Sequence, residues 1–360
     1  MTRGNSPWQF ALLTRALLMS CACITLALAP VRAAQQSEPP RPLPRPRAGT
    51  ESLDALRQQI ERIRAALPGE MSVYMKNLNS GEVIAIDSDR VMETFSVIKV
   101  PIMAEVLRQA ESGAFSLSDR IPLKAGDRRL PSGLLYSLDP GLAPTVRDLL
   151  TLMIIISDNE ATDLLADKVG RASVTHTMQQ LGFPHTSIEF SDLDWDRLWL
   201  SRLDPAYKNA SGDQTVLFPF DKYTGQQVDE AFLHTIYDSG IYFGHSTTRE
   251  IGELFEKVAR RELISSAASD LMIEILKKQE VNNRFPKYLA EVPMAHKTGD
   301  GQPWLANDAG ILWVQDQPIV LVVFTGHHHG PTSSLHDSIA RVAALVVRHY
   351  GGHLKPEYKP

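Results

Sequence analysis

Residues 293–325, PMAHKTGDGQPWLANDAGILWVQDQPIVLVVFT, hold three strand candidates in close succession. They are 293–298, 308–315 and 319–325, and Asp316-Gln317-Pro318 closes the last two into a tight connection. Residues 338–350 then carry helical spacing and stop at Gly351-Gly352. The other end of the chain answers this one. Leu53, Leu56, Ile60, Ile63 and Leu67 recur every three or four residues and predict a helix over 52–67, ended by Pro68. Strand candidates follow at 71–77 and 83–87, around Asn79-Ser80-Gly81. Helical spacing dominates the middle, at 98–112, 146–155, 160–168, 174–181, 248–261 and 267–278. Residues 183–246 show weak periodicity and read as a long irregular segment with at most a short hairpin. Strands from both ends with helices between them predict an α+β fold, an α/β/α sandwich. A mainly antiparallel five-stranded sheet is flanked by the terminal helices, and an all-helical lobe is inserted at about 93–280. The groove between the two parts is the expected site.

The first 33 residues read as an export signal: Arg3 and Arg15, an apolar run over 16–30, then Val31-Arg32-Ala33 before the expected cut. The run is too short and too near the terminus to read as a membrane span. Leu18-Met19-Ser20-Cys21 leaves a lipoprotein reading open. Both cysteines, Cys21 and Cys23, lie inside this signal, so the mature chain has neither a disulfide nor a thiol nucleophile. Residues 34–50 form a Pro-rich linker, and 51–355 the folded domain. Loss of Arg3, Arg15 and Arg32 takes the formal charge from −5 to −8. No basic block remains to suggest nucleic acid. The expected protein is exported, periplasmic or secreted, monomeric, and without a cofactor.

Three motifs carry chemistry. In Ser96-Val97-Ile98-Lys99 the three-residue spacing at a helix start puts an amine near a hydroxyl. A Ser hydroxyl needs a base to become a nucleophile, and a Lys whose pKa is lowered by burial can serve. Ser157-Asp158-Asn159 stands at the junction of two helices, where Ser157 can relay a proton and Asn159 can bind a substrate amide or the lysine. Helix capping is the plainer reading of that triplet. Lys297-Thr298-Gly299 ends a strand, and Gly299 permits close approach of another backbone. Isolated, each motif is weak; in this order they make the set shared by serine β-lactamases and penicillin-binding proteins.

The chain thereby resembles the class A serine β-lactamase family. Residues 125–135, Thr145-Val146-Arg147-Asp148-Leu149-Leu150 and His296 to Asp308 extend the likeness. The resemblance implies that Ser96 attacks a lactam carbonyl, with Lys99 and Ser157 moving protons. It implies substrate binding by Asn159, Lys297, Thr298 and Gly299, and an oxyanion hole from the backbone amides of Ser96 and Asp300. The family's deacylating Glu-x-x-Leu-Asn motif is absent from residues 183–246. Asp204, ahead of Pro205 and Asn209, is the first candidate for that role, and Glu189 the second. Asp192, Asp194 and Asp196 read as a solvated loop face. His327-His328-His329 lacks a chelating pattern and predicts no metal site. The first expectation is hydrolysis of β-lactams through a serine acyl-enzyme. A penicillin-recognising D-Ala-D-Ala peptidase or other serine amidase or esterase is the alternative. A non-catalytic cell-wall ligand-binding module is the third, opposed by three intact motifs.

Overall fold

The computed structural model describes residues 51–237, 241–301 and 303–359. The expected export signal and linker lie outside them. Ser52 caps the first helix, α1 (Leu53–Ala66), its hydroxyl accepting the Ala55 N–H at 3.2 Å. Strands β1 (Glu70–Asn77) and β2 (Val83–Ile86) form a hairpin, and the short β3 (Met92–Glu93) leads into a 3₁₀ turn, Phe95–Ile98. The middle of the chain holds α2 (Lys99–Glu111), α3 (Val146–Ile155), α4 (Asn159–Val169) and α5 (Arg171–Gln180). After β4 (Ser187–Ile188) come α6 (Asp192–Leu203), α7 (Gly212–Val216) and α8 (Gly225–Tyr237). Next are β5 (Gly244–Ser246), α9 (Thr248–Ala259) and α10 (Ser266–Leu276). The chain closes with β6 (Leu289–Ala290), β7 (Met294–Gly301), β8 (Leu305–Val314), β9 (Gln317–Gly326), α11 (Thr332–His349) and β10 (His353–Leu354).

The main sheet runs β2-β1-β9-β8-β7, and every pairing is antiparallel. It is buried on both faces, which is why 319–324 is unbroken Ile-Val-Leu-Val-Val-Phe rather than an alternating strand. Side-chain alternation divides that run between two cores. Ile319, Leu321 and Val323 join Leu56, Ile60, Leu335 and Ile339 on the side of the terminal helices. Val320, Val322 and Phe324 join the helical middle, with Leu149, Met153 and Leu254. Each apolar side chain so enclosed contributes roughly 1.5–3 kcal/mol.

Two details differ from the sequence reading. The β8–β9 connection is the two-residue turn Gln315-Asp316, both at positive φ (49° and 61°), so the reversal falls one residue earlier than expected. More consequential is 183–246, which is largely helical. Ser191 caps α6 by accepting the Asp194 N–H at 3.0 Å, and Trp195, Trp199 and Leu203 follow at four-residue intervals on one face. In α8, Val228, Ala231, Phe232, Thr235 and Ile236 repeat at three and four. The Asp, Gly and Pro residues punctuate short helices instead of marking an irregular loop.

Candidate active site

Ser96 lies in the 3₁₀ turn Phe95–Ile98 between β3 and α2, held from three directions. Phe95 before it takes φ 41°, a left-handed backbone costly for an aromatic residue. Its ring is fixed among Trp195, Phe232 and Phe243, at centroid distances of 5.8, 6.2 and 6.0 Å. Below, the buried Glu93 carboxylate accepts the N–H groups of Phe95, Phe243 and Gly244 at 2.9, 2.7 and 3.2 Å. Burial pushes that carboxyl up to about 7 despite these bonds. From the sheet, Asn307 Nδ2 donates to the carbonyls of Glu93 and Thr94 at 2.9 and 3.2 Å. Gly299 completes the seat: a Cβ there would stand 2.4 Å from the Thr94 carbonyl oxygen. The close approach this glycine permits is therefore by the protein's own turn that carries Ser96.

Lys99 opens α2 fully buried, with acceptors for all three of its protons. Nζ donates to the Ser157 carbonyl at 2.8 Å, to Ser157 Oγ at 3.1 Å and to Asn159 Oδ1 at 2.8 Å. Ser157 sits at φ 59°, between the end of α3 and the start of α4, and this kink turns its hydroxyl toward the groove. The equally buried Lys297 reaches the same hydroxyl from β7 at 3.0 Å, and donates to the Thr298 carbonyl at 2.8 Å. Ser157 Oγ thus bridges two amines. Burial lowers Lys99, against the opposing pull of Asp192, Asp158, Asp163 and Asp300. Burial and the neighbouring Lys99 charge lower Lys297 further. Asp158 is the helix cap the sequence allowed: its carboxylate accepts Ala161 N–H at 2.9 Å, and Leu134 and Leu135 N–H at 2.6 and 2.9 Å.

These residues surround a groove of about 590 Å³. Ser96, Ser157, Asn159, Thr298 and Asp300 line it, while Lys99 and Lys297 lie beneath its surface. Thr298 Oγ1 is buried with no partner among the described residues. The Asp300 carboxylate is gripped by Arg284 at 2.7 and 2.8 Å. The same guanidinium donates to the carbonyls of Gly299 and Asn307 at 2.9 and 2.8 Å. No motif marked Arg284 in the sequence.

The two carboxylates expected to serve deacylation do not line this groove. Asp204 follows the last residue of α6, about 18 Å along the helix from Asp192. It caps the turn Pro205–Asn209 by accepting the Ala206 N–H at 2.9 Å. Glu189 stands 2.9 Å from His245 Nδ1 in the β4–β5 region. Asp192 and Asp196, read from sequence as a solvated face, line the groove with Ser96. Asp163 holds the start of α6 there: its carboxylate accepts the Asp192 and Leu193 N–H groups at 2.8 and 3.1 Å and pairs with buried Arg129. Burial raises Asp192 to about 7, tempered by Lys99, and raises Asp196 well above the carboxylate range. The three histidines separate: His327 stacks on Tyr237, His328 packs under Pro303 and Ser334, and His329 is exposed.

Comparison with known proteins agrees with this geometry. The profile of the β-lactamase enzyme family matches residues 55–350. A β-lactamase of Streptomyces lavendulae is 24% identical over 359 residues, covering 97% of this chain and 99% of its own. The crystal structure of a β-lactamase from Sphaerobacter thermophilus superposes with a TM-score of 0.67 at 22% identity, covering 84% of this chain and 98% of that one. A variant of PBP-A, solved as an acyl-enzyme complex with penicillin G, gives 0.63 at 22% identity, covering 82% and 96%. The chain belongs to the β-lactamase enzyme family.

Proposed function

We propose that the protein is an exported hydrolase that opens β-lactams through an acyl-enzyme on Ser96. The observation that carries this reading is the Ser157 hydroxyl bridging Lys99 and Lys297 at 3.1 and 3.0 Å in the groove that Ser96 lines. Two desolvated amines beside one hydroxyl make a proton relay: as Lys99 passes one of its protons through Ser157 to the lactam nitrogen that leaves when the C–N bond breaks, it takes the Ser96 Oγ proton in its place. Asn159 orients Lys99 through its Oδ1, and its Nδ2 is tied to the Leu130 carbonyl at 2.9 Å. Lys297 and the unpartnered Thr298 hydroxyl suit a substrate carboxylate, and the Ser96 and Asp300 amides would receive the oxyanion. Such a donor is typically worth roughly 3–4 kcal/mol. The family's water-activating carboxylate falls here to Asp192, which reaches the groove from the first turn of α6 and faces Lys99.

A penicillin-recognising peptidase is the second reading. It is favoured by the missing Glu-x-x-Leu-Asn motif: Asp192 is a methylene shorter than the family's Glu, a poorly placed water attacks the ester slowly, and slow deacylation leaves a lasting adduct. Incubation with penicillin G, followed by intact mass spectrometry, separates the two. Turnover with a transient adduct is expected, and Ser96→Ala should abolish both. An adduct that persists supports the peptidase. Undiminished labelling of Ser96→Ala refutes Ser96 as nucleophile.

A further inference from the structure

Asp192 and Asp196 stand four residues apart on α6, so they share one face of the helix. Both line the groove with Ser96, and in both the Oδ2 atom is sealed from bulk solvent without a hydrogen-bond partner. The remaining oxygen of Asp196 accepts the Trp199 Nε1–H at 3.3 Å. Unmet buried acceptors are costly, and a fold keeps two of them at one spot where something else fills the need. The surrounding charge sets how many protons the pair holds. Lys99 from α2 is the cation facing it; Arg129 is already paired with Asp163, and Asp158 and Asp163 add negative charge. One carboxylate beside Lys99 is balanced. A second would be a desolvated anion beside another, which carboxyl pairs avoid by retaining a proton.

We propose that Asp192 and Asp196 work as a pair carrying one proton, with ionised Asp192 the base for the water that releases the Ser96 ester and neutral Asp196 the group that positions that water. The proposal rests on the acyl-enzyme reading above. In the step, the water oxygen bonds to the acyl carbon and one water proton passes to Asp192. The ester C–O bond then breaks, and that proton is returned to Ser96 Oγ. The second water proton leaves with the product acid. Asp196 keeps its own proton throughout, so the pair ends as it began. Two macroscopic ionisations follow. Deacylation rises as the first proton leaves the pair and falls as the second does.

Two experiments test it. The first uses no lactam: infrared spectra of the free enzyme at about pH 8 should show a protonated-carboxyl stretch that is lost in Asp196→Asn. Its presence at equal intensity in the variant overturns the pair. The second is the pH profile of deacylation after a pulse of penicillin. The parent should give a bell. Asp196→Asn, neutral at every pH, should keep the acid limb and lose the alkaline one, and Asp192→Asn should stall across the range. An unchanged alkaline limb in Asp196→Asn, or turnover by Asp192→Asn, overturns the proposal while the acyl-enzyme reading stands. A parent that forms no adduct, with the infrared band present, overturns the catalytic roles through failure of the acyl-enzyme reading itself.

Discussion

Ser157 is where the site is most tightly determined, because one hydroxyl takes hydrogen bonds from two buried amines. Its left-handed φ of 59° serves no capping role, since Asp158 caps α4. Ser157→Ala removes the bridge while leaving the Asp158 cap and the Lys99 contact to the residue 157 carbonyl in place. We predict that adduct formation on Ser96 slows by ~10²–10⁴-fold, the usual worth of a placed proton-transfer group. Stopped-flow acylation with a chromogenic cephalosporin checks this, and a loss under about tenfold would reduce Ser157 to scaffolding. At this scale the meeting of Ser157 with Lys99 and Lys297, in the groove that Ser96 lines, was legible, because the three motifs tie residue type to spacing. Asp192 and Asp196 were not. Acidic residues in a Gly- and Pro-containing stretch are usually solvated, and their burial depends on Asp163 and Arg129, which lie far away in sequence.

The helical excursion from α6 to α8 supplies most of the groove's aromatic lining. It carries Trp195, Trp199, Phe220 and Phe232 to the groove, where they meet Phe95 and Phe243. Trp199 stacks on Phe220 at 5.9 Å and meets Phe232 edge-on at 5.5 Å. Such a wall suits an aromatic acyl side chain, each aromatic pair adding roughly 0.5–1.5 kcal/mol beyond area burial. Phe220 is 37% exposed, so its truncation spares the core. Phe220→Ala should lower kcat/KM for a phenylacetyl penicillin about tenfold relative to the unsubstituted penicillin nucleus. Equal losses on the two substrates would show that the wall does not read the side chain. The terminal helices and the five strands were legible from period and from Pro and Gly stops. This excursion was read as irregular, although the Ser191-x-x-Asp194 cap and the Trp195, Trp199, Leu203 spacing carried a helical signal. Its short helices, separated by Pro205, Gly212, Pro219 and Gly225, dilute any window long enough to show a helical period.

Across the whole molecule the buried carboxyls are a liability to stability above neutral pH. Burial raises the carboxyls of Glu93, Glu160 and Asp192 to about 7, and Asp196 higher still. Unfolded, the same groups titrate at about 4. Between those limits the folded chain binds more protons than the unfolded one. Each group's contribution is therefore complete below about pH 4 and is lost as pH rises through about 7 and beyond. Asp337, lowered to about 2, His336, lowered to about 4, and the lowered Lys99 and Lys297 have the opposite sign, so the parent's net slope is a balance and the variant isolates one carboxyl. We predict that the melting temperature of Asp196→Asn gains on that of the parent as pH rises from about 5 to about 8. Thermal melts across that range decide it, and parallel curves for parent and variant would contradict the buried-carboxyl account. The central claim, that this fold brings Ser96 and Asp192 together to make and then release an ester, has its own direct measurement. A crystal structure of Asp192→Asn soaked with penicillin G should show one opened lactam bonded to Ser96 Oγ, its carboxylate at Thr298 and its phenyl ring on the aromatic wall. An empty groove, or an adduct on any other residue, would contradict it.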